Sequence, residues 1–70
     1  MKLPELRAHE NLLLSALSQG YSLGDIAGIL NMSVWGIEGV EQDVFQKLEV
    51  KNRGDAIKWW RNYAAKREAA

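Results

Sequence analysis

Cysteine is absent from the 70 residues of this chain, and histidine occurs once, at His9. Without thiols there is no disulfide framework, no thiol nucleophile and no cysteine-built zinc finger. The absence fits a reducing compartment, and a cytoplasmic location is the expectation. The longest run of large apolar residues is Leu12-Leu13-Leu14, far short of the roughly 20 residues that span a bilayer. The opening MKLPELRAHE has no apolar core of the kind a secretory leader needs. A glycine-rich phosphate loop and paired histidines at metal spacing are also missing, and the carboxylates are dispersed. These absences point away from an enzyme, and no cofactor, metal, membrane or small-molecule substrate is expected.

Excess charge is lacking too. Nine basic residues balance nine acidic ones, whereas dedicated DNA-binding domains are usually basic because phosphate contacts drive their affinity. The balance conceals a polarity. Residues 1–32 sum to −1, residues 33–50 to −3 and residues 51–70 to +4. A chain this short forms one domain, residues 1–70, with a modest core.

What is present is a succession of helix signals. Pro4 suits a first helical turn, and Leu6, Leu13, Leu14 and Leu17 follow as an apolar stripe until Gly20 ends the helix. Ser22 and Asp25 have capping-box spacing ahead of Ile26, Ile29 and Leu30. Asn31-Met32 makes a tight turn and Ser33 caps a third helix, with Ile37, Val40, Val44 and Leu48 on one side. Asn52 and Asp55 repeat the cap spacing. The expected helices are 4–19, 22–30, 33–48 and 52–65, with Leu13, Leu17, Ile26, Leu30, Ile37, Val44, Leu48 and Ile57 buried. No segment alternates long enough to suggest a strand. The fold class is all-α. A short turn between the second and third helices is helix-turn-helix spacing, although other small bundles share it.

The letters from Leu6 to Ile57 narrow this. His9-Glu10, Gly20, SLGDIA (22–27), Leu30, Met32-Ser33, KLEV (47–50), NR (52–53) and AI (56–57) stand at the spacings of a recurring family run. In this respect the chain resembles the DNA-binding domain of LuxR/GerE-type transcription regulators. The resemblance implies a tetrahelical helix-turn-helix bundle, a bacterial transcription regulator, and dimerisation through the last helix. Departures concentrate where that family touches DNA. Aligned on KLEV, Gly36 stands at a family Thr, Ile37 at a Val, Glu38 at a Lys, Val40 at a His and Asp43 at an Asn.

The candidate DNA-contacting residues are Ser33, Trp35, Gly36, Gly39 and Gln42 of the third helix, with Lys51 and Arg53 after it. Each has an ordinary alternative. Glu38 and Asp43 can accept from a cytosine amino group or form a solvated face, and beside phosphates they repel. Trp35 can wedge against a base or pack on the second helix. Gly36 and Gly39 can admit another backbone or mark a drifted surface. Lys51, Arg53, Lys58 and Arg61 can grip phosphates, though the resemblance also gives Arg53 a place in the family's turn. In IKWWRNY (57–63), Ile57 and Trp60 with Ala64 form one stripe, and Trp59 and Tyr63 form its neighbour. Lys58, Trp59, Arg61 and Tyr63 are therefore the candidate protein interface, unless Trp59 folds over the first helix.

Two functions compete within transcription regulation. One is a stand-alone regulator that binds double-stranded promoter DNA as a dimer or hetero-complex. The other is a DNA-binding-deficient antiactivator that captures another LuxR-type or related regulator. The resemblance favours the first, which is the leading expectation; the acidic third helix and the zero net charge favour the second, its alternative.

Overall fold

The computed structural model describes the backbone of residues 5–69 and the side chains of residues 5–66. Four helices follow one another: α1 (Ala8–Ser18), α2 (Leu23–Leu30), α3 (Val34–Leu48) and α4 (Arg53–Ala69). No strand occurs among the described residues. The all-α expectation holds, with a radius of gyration of 11.8 Å.

The local chemistry sets the boundaries. Helix α1 starts later than the apolar spacing suggests. Pro4 lies outside the described residues, and residues 5–7 are not helical. Arg7 is extended, and its N–H donates to Glu10 Oε1 at 2.8 Å, which stops the helix from propagating backward. At the other end Gly20 takes φ +96°, a left-handed conformation that favours glycine. There Tyr21 N–H donates to Ala16 O and Gly20 N–H to Leu17 O, both at 3.1 Å, the pair of bonds that closes a Schellman motif. The Ser22–Asp25 box forms: Asp25 N–H donates to Ser22 Oγ at 3.1 Å and Ser22 N–H to Asp25 Oδ2 at 3.2 Å. Ser33 Oγ accepts the Gly36 N–H at 3.0 Å, and Asn52 Oδ1 accepts the Asp55 N–H at 2.8 Å. Helix α4 runs past the expected end at 65 to Ala69.

Helix α1 packs on α4 and α2 on α3, with α3 also meeting α4 and α1 meeting α2 and α3. Leu13, Leu14, Leu17, Ile26, Ile37, Val44 and Leu48 form the core, closed by Ala16, Ala27 and Ala56. Two expected core members are only half-buried. Leu30 ends the short α2 and Ile57 flanks the contact, while the small Ala56 takes the innermost place on α4. Ile29 is 60% exposed. Among the described residues, no helix is long and apolar enough to cross a membrane.

Candidate functional site

Helix α3 has two chemically distinct faces. Its buried stripe is Ile37, Glu41, Val44 and Leu48, at i, i+4, i+7 and i+11. At 3.6 residues per turn the opposite face carries Trp35, Gly39, Gln42 and Gln46, of which Trp35 is 84% exposed. Trp35 does not pack on α2, and Met32 lies over Gly36. A Cβ on Gly36 would lie 3.2 Å from Met32 Cε and 3.3 Å from Ser33 Oγ, so the missing side chain at Gly36 accommodates this overlay. Gly39 differs: a Cβ there meets nothing within 4 Å. Met32, Val34 and Trp35 form an exposed apolar corner where α2 turns into α3, with Ile29 one turn back.

Charge on this helix is arranged by tertiary contacts. Glu41, one of the acids behind the −3 sum of residues 33–50, is buried. Its carboxylate is clasped by Arg53, Nε to Oε2 at 2.6 Å and Nη2 to Oε1 at 3.2 Å. Arg53, a candidate phosphate contact, thus spends its planar fork on an internal partner, in keeping with its structural alternative. The Glu41 hydrogen bond raises the Arg53 pKa against the opposing effect of burial, and attraction to Glu41 and Glu38 adds to the rise. Lys47 is likewise drawn away, its Nζ 2.7 Å from Oε1 of the buried Glu10 on α1. Burial disfavours the Glu10 carboxylate. The Arg7 N–H, the Lys47 hydrogen bond and the positive field of Lys47 and His9 outweigh it, and the pKa falls below the ordinary value. The acids outward on α3 and its C-cap are Glu38, Asp43 and Glu49, all exposed, while Lys47 stays partly in solvent as it reaches Glu10.

Ser33 spends its hydroxyl on the α3 cap, and Gln42 and Lys51 are exposed. On α4, Trp59 stacks on Tyr63 with ring centroids 5.1 Å apart and planes 12° from parallel. Trp60 meets the same ring at 5.7 Å. Trp59 and Trp60 are half-buried against the core, so the two stripes expected to separate share one aromatic cluster. Arg61 Nη2 donates to Ser18 O at 3.2 Å, fastening α4 to α1, while Lys58 is exposed. A recess of about 210 Å³ is lined by Trp59, Asn62, Tyr63 and Lys66.

The sequence reading missed both buried carboxylates. A signal existed, because Glu10 stands on the stripe of Leu13, Leu14 and Leu17, and Glu41 on the stripe of Ile37, Val44 and Leu48. Comparison with known protein families, with curated proteins and with solved structures finds no match to the chain.

Proposed function

We propose that this chain is a LuxR/GerE-type helix-turn-helix module of transcription regulation that acts by binding another regulator rather than by reading an operator. The reading combines the sequence resemblance with an α2–turn–α3 arrangement in which Asn31, at φ 55°, reverses the chain and Ser33 caps the next helix.

One observation carries the choice of partner. Two basic side chains beside α3 are held by internal carboxylates, Lys47 by Glu10 and Arg53 by Glu41. The face is left with Trp35, Glu38 and Asp43. Phosphates are repelled by such a surface, whereas an exposed tryptophan is what a protein partner uses as an anchor. Direct DNA binding is the second reading, favoured by Lys51, exposed just beyond α3.

The test is a titration of the chain against duplex DNA at low and moderate salt. Weak binding that vanishes as salt rises is expected. Tight binding to a specific duplex at physiological salt sinks the proposal and restores the operator-reading alternative.

A further inference from the structure

We infer that the outward face of α3 docks the basic, nucleic-acid-binding face of a DNA-binding regulator, with Trp35 as the anchor. This rests on the function proposed above and names the surface and the partner chemistry.

Trp35 stands on the side of α3 opposite the stripe that builds the core and is 84% exposed. No fold requirement accounts for its size there. Gly39, one turn on along the same face, leaves the backbone bare, although an added Cβ would meet nothing within 4 Å. Glycine in a helix interior is unfavourable, so packing within the chain does not explain it. Room for a closely approaching surface does. Glu38 and Asp43 lie on either side of this line, separated by five residues, or about 7.5 Å of helical rise, and Glu49 follows at the C-cap.

An apolar projection among carboxylates is complemented by an apolar recess among cations. DNA does not offer that, because its phosphates repel the same carboxylates. A protein surface built to bind phosphates does offer it, since cations must cluster there. Occupying that surface excludes DNA, so capture and inhibition become a single event. The internal pairs Lys47–Glu10 and Arg53–Glu41 hold two cations beside α3 on inner carboxylates.

The experiment uses the intact chain and, as probes, the purified LuxR-type DNA-binding domains encoded in the same genome, each free and each saturated with its operator duplex. Binding to at least one free domain is expected, abolished by saturating duplex. Trp35→Ala should weaken it about 30-fold or more, as for an interface hot spot. Glu38→Lys with Asp43→Lys should weaken it at least about tenfold and flatten its salt dependence. Circular dichroism checks that these surface variants stay folded. Three results overturn the inference: no domain binds; the duplex-saturated domain binds equally well; or binding survives Trp35→Ala and instead needs Trp59 and Tyr63. In the last case the proposed function stands and only the surface is wrong. Sedimentation adds a fourth: self-association lost on Trp35→Ala, with no domain bound, assigns the face to a second copy of the chain.

Discussion

Arg53 reaches across from the start of α4 to hold Glu41 of α3 in a two-pronged contact, at 2.6 and 3.2 Å. The carboxylate is buried and the guanidinium is partly exposed, with side-chain exposures of 7% and 47%. The pair joins the third helix to the fourth and removes one anion from the surface of α3.

Arg53→Ala should therefore destabilise the fold by about 1–3 kcal/mol, the cost of leaving a buried charged acceptor without its donor. Solvent around the guanidinium keeps the figure below that of a fully buried pair. Lys51→Ala, two residues earlier and exposed, should stay within about 0.5 kcal/mol of wild type. Urea titrations of both variants measure this. Equal, negligible losses would show that the Glu41 contact has no structural weight.

Ile37 is fully buried between α3 and the rest of the core. Ile37→Ala should cost roughly 2–5 kcal/mol, a large fraction of the stability of so small a domain. Thermal and denaturant unfolding report it, and an unchanged midpoint would refute the placement of this side chain.

Glu10 links stability to pH. Its pKa lies below the ordinary glutamate value when folded, so the unfolded chain takes up a proton first as pH falls. The stabilisation is complete above the unfolded pKa and is lost as pH drops through the folded value. Wild type should lose stability across that acidic window, and Glu10→Gln should show a shallower dependence with lower stability at neutral pH. Parallel slopes for the two proteins would remove Glu10 as the cause.

Glycine supplies a paired test of fold and function. Gly39→Ala should raise stability by about 0.5–1 kcal/mol, because helix propensity improves and the new methyl meets nothing. If α3 docks a partner, the same change should weaken binding. A variant that is stabilised and binds at full strength would separate Gly39 from the docking face.

Glu38→Lys replaces repulsion with a phosphate partner and should strengthen nonspecific DNA binding, with a steeper salt dependence. Fluorescence anisotropy on a labelled duplex of arbitrary sequence measures both. Loss of a tight, specific interaction on this substitution would mean that Glu38 contacts a base.

Much of the helical plan could be read from local chemistry. Ser22 with Asp25, Ser33, and Asn52 with Asp55 act within three residues of the helix starts they cap. Gly20 acts on the turn it occupies. Apolar spacing likewise placed Leu13, Leu17, Ile26, Ile37, Val44 and Leu48 inside. Burial at the ends of that pattern was less legible, because the packing of α4 decides whether Ala56 or Ile57 faces inward.

The sequence by itself determined four helices, the residues that cap the starts of α2, α3 and α4, most of the core and a division of charge between residues 33–50 and 51–70. Those features follow from interactions between residues a few positions apart and from periodicity. Tertiary structure alone decided which charges face outward. Lys47 meets Glu10 across 37 positions, and Arg53 meets Glu41 across 12. It likewise left Trp35 exposed while packing Trp59 and Trp60 against the core. The physical reason is that a side chain's solvent exposure and ionic partner depend on how whole helices pack, which residue spacing within one helix does not specify.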